Sequence, residues 1–160
     1  MPQNDYILRV TEDGGRALAQ IIYHKDMRDY QGALSLIDEV CRQAVGTDSD
    51  FIHTISEKTL LAMLTLLGVL DVEKALLMAK LLKAEGDIYE EQGNPDAAYE
   101  SYLISLNLLL EIVLRDDHLH DLRVSPEIED LLGKLDAYEL PQHTRRRLLQ
   151  LYLCAFVKRA

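Results

Sequence analysis

Apolar residues recur every three or four positions along most of the chain, which is the spacing that lines one face of an α-helix. The pattern predicts paired helices over residues 5–45, 56–93 and 95–115, then two further helices at 125–137 and 142–157. The short connections between these segments favour antiparallel neighbours. The sequence therefore predicts one all-α domain over residues 1–160, built from antiparallel hairpins of seven or eight helices.

Two stretches of this pattern carry specific expectations. From Ser56 to Leu67 the chain is apolar on almost every side, so we expect a helix there that ends at Gly68 and lies at the centre of the core. In the first helix, Gly14 falls on the apolar face and is followed by Gly15. Two interpretations stay open: either Gly14 lets a neighbouring helix approach closely, or the glycine pair breaks the helix.

Composition and charge narrow the class of protein. With 160 residues and 48% hydrophobic residues, the chain can form a full core without a metal or disulfides. Its formal net charge of −10 argues against a general affinity for nucleic acid or for anionic membranes. The N-terminus has no basic, apolar leader, and the longest apolar run falls short of the roughly 20 residues that a bilayer requires. We therefore expect a cytoplasmic protein with no membrane segment.

One helical hairpin resembles a tetratricopeptide (TPR) repeat. Small residues stand where the two helices of a repeat approach each other, and aromatic residues stand on either side, at Leu82, Gly86, Tyr89, Gly93, Ala98, Tyr102 and Ser105. Glu85 departs from this pattern, because an apolar residue is usual there. A second, weaker resemblance lies around residues 29–34, and the opening of the chain is similar to a group of small bacterial proteins with TPR-like helices.

The resemblance implies a scaffold that binds a protein or peptide. In TPR proteins the first helix of each repeat lines a concave groove, and the positions that match here are Lys80, Lys83, Asp87, Glu90 and Glu91. The peptide-carboxylate-binding variant of the family has Asn at the place of Asp87. A basic or mixed-charge helix would therefore suit this surface better than a carboxylate tail.

The last twenty residues form a basic segment on an acidic chain. They contain Arg145, Arg146 and Arg147 together with two further cations and no acid, so 12 basic residues face 27 acidic ones in the remainder. The arginines could pair with acids of the same chain such as Glu100, Glu111 or Asp116. Alternatively, they could bind a partner's acidic groups, nucleic-acid phosphates or a membrane surface. Tyr152 and Phe156 of the same helix are candidates for the seam of a homodimer.

The sequence contains few of the motifs that are typical of catalytic or metal-binding sites. His118 and His120 stand among aspartates in a predicted loop and could ligate a transition metal, but no second pair of ligands has a recognisable spacing. The sequence has no nucleophile elbow and no glycine-rich phosphate loop. We therefore predict a non-enzymatic protein-interaction module without a cofactor. The alternatives are a nucleic-acid or anionic-ligand binder at Arg145–Arg147 and a metal-dependent enzyme at His118 and His120.

Overall fold

Helices account for nearly all of the regular structure. The computed structural model describes the backbone of residues 2–115 and 124–159, and the side chains of residues 12–115 and 124–154. Within these ranges lie eight helices and one short hairpin, which are α1 (Pro2–Asp26), α2 (Tyr30–Val45), α3 (Ser49–Thr54), α4 (Glu57–Met63), β1 (Thr65–Leu66), β2 (Val69–Leu70), α5 (Val72–Glu91), α6 (Pro95–Leu114), α7 (Ser125–Lys134) and α8 (Gln142–Arg159). The prediction of an all-α domain with seven or eight helices is confirmed.

Local side-chain chemistry sets where most of these helices begin. Five helices have a capping residue whose side chain accepts a hydrogen bond from the backbone three residues further on, namely Asp29, Asp48, Ser56, Asp71 and Asn94. Such a cap satisfies one of the free N–H groups in the first turn of a helix. Pro95 follows the cap of α6, at a position where its missing N–H costs nothing.

Helices α5 and α6 form the centre of the core. They run antiparallel, because Gly86 lies opposite Tyr102 and the carbonyl of Ala79 accepts a hydrogen bond from Ser105 Oγ at 2.6 Å. A Cβ at position 86 would stand 2.6 Å from the ring of Tyr102, so only glycine permits this approach. Helices α1 and α2 pack on α5, whereas α7 and α8 pack on α6. The close approach expected at Gly86 is therefore present.

The first helix continues through its glycine pair. A Cβ on Gly14 would stand 2.8 Å from Cδ1 of Leu77 on α5, whereas a Cβ on Gly15 would meet nothing within 4 Å. Gly14 therefore serves the close packing of α1 on α5. The alternative, a break at residues 14 and 15, does not occur.

The prediction of a central helix from Ser56 to Leu67 is wrong, both in the length of the helix and in its place in the core. Helix α4 ends at Met63, and the chain then turns back through β1 and β2. Leu67 and Gly68 form the turn with φ values of 52° and 80°. The side chain of Leu67 is 95% exposed, while Leu60 and Leu64 are buried. The apolar run thus divides between a short helix and an exposed hairpin, and α5 and α6 occupy the centre instead.

Helix α6 is long and apolar enough to cross a membrane by length and composition alone. However, 61% of its apolar window is buried against other helices of the same chain. Leu106, Leu109 and Leu110, for example, have almost no exposed surface. This pattern is typical of the core helix of a globular domain.

Candidate interaction surface

Part of the predicted groove face of α5 is joined to α7 by ion pairs. Lys83 Nζ lies 2.9 Å from Glu127 Oε2 and 2.6 Å from Asp130 Oδ2, both on α7. Burial alone would lower the pKa of Lys83, but the hydrogen bonds to the two carboxylates outweigh it and raise that pKa. The hydrogen bond from Lys83 also lowers the pKa of Asp130. This lysine is therefore engaged within the chain.

Asp87 and Glu90 are engaged on the same face. The hydroxyl of Tyr102 lies 2.6 Å from Oδ1 of Asp87 and 2.6 Å from Oε2 of Glu90. Lys134 of α7 places its Nζ 3.2 Å from Asp87 and 3.6 Å from Glu90. Burial and these two carboxylates raise the pKa of Tyr102 far above its usual range, so the hydroxyl keeps its proton. Tyr102 thus joins α6 to the acidic edge of α5, and Lys134 joins α7 to the same edge.

The other two predicted groove residues lie apart from this network. Lys80 is half-buried and lines a cleft of about 250 Å³ together with Leu18 and Ile22 of α1. Glu91 is exposed at the end of α5 and lines a cleft with Tyr30 of α2. The five groove candidates of α5 therefore do not form one open surface.

The inner face of α8 is fixed by buried polar contacts. Thr144 Oγ1 donates a hydrogen bond of 2.8 Å to Oδ1 of Asn107 on α6. Arg147 places Nη2 2.6 Å from Glu111 Oε1 and also hydrogen-bonds Glu57. Leu148 is buried on the same side. The expected pairing of a C-terminal arginine with Glu111 is confirmed, and Asp116 lies outside the described residues.

The opposite side of α8 combines arginines with large apolar side chains. We call it the outer face of α8, and it consists of Arg145, Arg146, Leu149, Tyr152 and Leu153. The three apolar members are 57–60% exposed. Arg145 makes one long contact, of 3.9 Å, to the exposed Glu139. Arg146 is exposed and has no ion pair among the described residues. The three consecutive arginines therefore lie in three different environments.

A buried polar cluster around Glu85 was not predicted as a site. The Glu85 carboxylate accepts hydrogen bonds from Ser49, from Ser101 at 3.0 Å and from His53 Nε2 at 2.9 Å. The hydrogen bond to Glu85 raises the pKa of His53. Both hydroxyls donate to the carboxylate rather than to the imidazole, so this cluster lacks a paired nucleophile and base. The one sequence signal was Glu85 itself, a charge at a position that is apolar in the TPR pattern.

Three further candidates cannot be placed in the structure. His118 and His120 lie outside the described residues, and so does the side chain of Phe156. Among the residues that are described, no group of three His, Cys, Asp or Glu side chains could hold a metal ion. Tyr152 is the member of the predicted dimer seam whose position is known, and it is 60% exposed on α8.

Comparison with protein-family models, curated proteins and solved structures finds no match for this chain. The class that the fold defines is an all-α helical domain, and the TPR resemblance stays a prediction. The outer face of α8 is therefore the main structural indication of function.

Proposed function

We propose that the protein is a non-enzymatic, TPR-like helical module that binds another protein in the cytoplasm. The single observation that carries this proposal is the outer face of α8. There, Leu149, Tyr152 and Leu153 are each more than half exposed on one side of a helix whose other side is anchored in the core. Exposed apolar side chains gathered on one face and bordered by polar residues are typical of interaction sites.

The composition of this face supports protein binding in particular. Tyr and Arg are enriched at protein–protein interfaces and often supply most of the binding free energy. Tyr152 offers a large rigid ring, and Arg145 and Arg146 lie one to two turns before it on the same helix. A homodimer through this helix is one form that the proposal can take, and a heteromeric complex is the other.

The two alternative functions receive less support from the geometry. Phosphate binding by three adjacent arginines would need all three side chains on one surface. Arg147 instead contacts Glu57 and Glu111, and only Arg145 and Arg146 are exposed. For the metal-dependent enzyme, the residues that would carry it, His118 and His120, lie outside the described part of the chain, and no observation favours it.

Affinity capture from native lysate tests the proposal with matched variants. The first variant replaces Leu149, Tyr152 and Leu153 with Ser. The control replaces three hairpin residues that are even more exposed, Leu66, Leu67 and Val69, with Ser. We expect the wild type and the hairpin variant to retain the same partner protein and the α8 variant to lose it. If the wild type captures no protein above background at any salt concentration and is also monomeric in sedimentation velocity, the proposal is wrong. If only the hairpin variant loses the partner, the module binds through another surface.

A further inference from the structure

We propose that the outer face of α8 binds an acidic amphipathic helix of a partner protein. This inference rests on the proposed function and names the chemistry of the partner. The apolar stripe would accept the apolar side of the incoming helix, and Arg145 and Arg146 would pair with its carboxylates.

The shape of the face suits a helix. Arg145, Leu149 and Tyr152 follow one another at spacings of four and three residues, and Leu153 lies beside Tyr152. Positions spaced in this way lie on one face of a helix, and a second helix packs along such a ridge of side chains. At a rise of about 1.5 Å per residue, the face from Arg145 to Leu153 extends roughly 12 Å, or a little more than two turns.

The charge of the face indicates acidic residues on the partner. Arg145 and Arg146 lie in the first turns of α8, where the helix dipole is also positive, so the two cations and the dipole repel each other. Glu139 offers only a long, solvent-exposed contact to Arg145, and such pairs stabilise a protein by about 0–1 kcal/mol. Two carboxylates of a partner would satisfy both the arginines and the helix dipole.

The same charges disfavour a second copy of the chain as the occupant. Residues 141–160 contain no acid. If two copies of α8 packed antiparallel about the centre of the stripe, at Leu151, Arg145 of one copy would lie opposite position 157 of the other, next to Lys158. If the two copies packed parallel, each arginine would lie opposite itself. Juxtaposing like charges in an interface costs several kcal/mol, so a symmetric pairing of α8 with itself is opposed.

The buried contacts of α8 prevent the apolar stripe from turning inward. Thr144 is held by Asn107, and Arg147 bridges to Glu57 and Glu111 on two other helices. Rotating α8 to bury Tyr152 would expose Leu148 and break both ion pairs of Arg147. The outer face is thus held away from the core, and no other segment of the described residues covers its apolar side chains.

Two synthetic helical peptides test the inference directly. Each has roughly 18 residues, long enough to be partly helical in water, with leucines at i, i+3, i+4 and i+7. The first carries Glu beside the leucines, and its twin carries Lys at those positions. Fluorescence anisotropy then measures binding to the wild-type chain at low salt and at 0.15 M salt. We expect the acidic peptide to bind at least tenfold more tightly than its twin, with a difference that shrinks as salt screens the charges.

Paired charge reversals localise the effect. R145E/R146E should reverse the preference in favour of the Lys peptide, while K25E/K80E, the same change of charge near α1 and α5, should leave it unchanged. The triple Ser variant of Leu149, Tyr152 and Leu153 should weaken both peptides by more than tenfold. Circular dichroism and urea unfolding confirm that each variant is folded.

Five outcomes would overturn the inference. Equal binding of both peptides would show an apolar site without charge selection, and unchanged selectivity in R145E/R146E would place the site elsewhere. Self-association of the wild type in sedimentation velocity that R145E/R146E abolishes would identify a second copy as the occupant. Binding to phosphatidylserine-containing vesicles with no binding of either peptide would identify a membrane surface. If neither peptide binds but a protein captured from lysate still depends on Leu149, Tyr152 and Leu153, this inference fails and the proposed function stands.

Discussion

The contact between α5 and α7 and the outer face of α8 both contain cations. They differ in how closely those cations are paired with carboxylates of the same chain. On the first, Lys83 and Lys134 each contact two carboxylates of a neighbouring helix. On the second, Arg145 has one long contact and Arg146 has none among the described residues. A charged surface is therefore a candidate for binding only where the same chain does not already supply the counter-charge. By this criterion the outer face of α8 is a stronger candidate for binding a partner than the groove face of α5, which the TPR resemblance implied.

The largest expected effect comes from comparing charge reversals at Arg147, which is paired within the chain, and at its exposed neighbour Arg146. Arg147→Glu removes the cation between Glu57 and Glu111 and adds a third carboxylate to a partly buried site. Breaking a fully buried ion pair costs about 3–5 kcal/mol, and here the site is partly exposed, so we expect a loss of about 2–4 kcal/mol in the free energy of unfolding. Urea denaturation at pH 7 measures it.

Arg146→Glu is the matched control for that variant. The same chemical change is made one residue earlier, on the exposed side of α8. Surface substitutions of this kind usually alter stability by less than about 0.5 kcal/mol. Equal losses in the two variants would contradict the assignment of inner and outer faces.

A second comparison concerns α5. Lys83→Glu places an acid against Glu127 and Asp130 and should cost about 1–2 kcal/mol, because both partners are partly exposed. Lys80→Glu, one turn earlier, has no ion pair among the described residues and should change stability by less than about 0.5 kcal/mol.

The pH dependence adds a check on the Lys83 pair. Because the folded pKa of Asp130 is lowered, its contribution is present above the unfolded pKa near 3.8 and is lost as the pH falls further. The cost of Lys83→Met should thus shrink in acid. A cost that is the same at pH 3 and pH 7 would argue against this ion pair.

The smallest expected effect concerns the buried cluster at Glu85. Since hydrogen bonding to Glu85 raises the pKa of His53, the protonated imidazole stabilises the fold fully below pH 6.5, and this stabilisation is lost as the pH rises through the raised pKa. His53→Asn should cost about 1 kcal/mol at pH 6 through the lost charge-assisted hydrogen bond. The cost should be smaller at pH 9. Thermal unfolding across this pH range would reveal it, and a cost that grows with pH would contradict the argument.

Local signals in the sequence were enough to predict most of the helices. Cap residues such as Asp71 and Asn94 act within one turn, so their effect can be inferred from the neighbouring residues alone. The tight packing at Gly86 was predictable from the TPR-like pattern, in which small residues stand where two helices approach each other and tyrosines stand on either side. The hairpin after Met63 was not predictable in this way. A run of leucines is compatible both with a buried helix and with a hairpin. Gly68 can end a helix or form a turn, and the packing of the surrounding helices determines which of the two occurs.

The outer face of α8 could not be identified from the neighbouring residues alone. Periodicity alone separates Arg147 from Arg145 and Arg146 by about a quarter to half a turn of the helix, but it does not tell which side is buried. That depends on Glu57 and Glu111, which lie 90 and 36 residues away from Arg147 along the chain. The cluster at Glu85 likewise joins residues from three separate helices.

The contact between Thr144 and Asn107 has a kinetic consequence. Because it holds α8 in one rotational setting, a partner of the proposed kind would meet a helix already in place, and α8 would lose little conformational freedom beyond that of its exposed side chains. Association of a rigid pair typically proceeds at about 10⁵–10⁷ M⁻¹s⁻¹, and attraction between opposite charges raises that rate at low ionic strength. Loosening this one contact, for example with Thr144→Val, should therefore slow the formation of a complex more than it shortens the complex's lifetime.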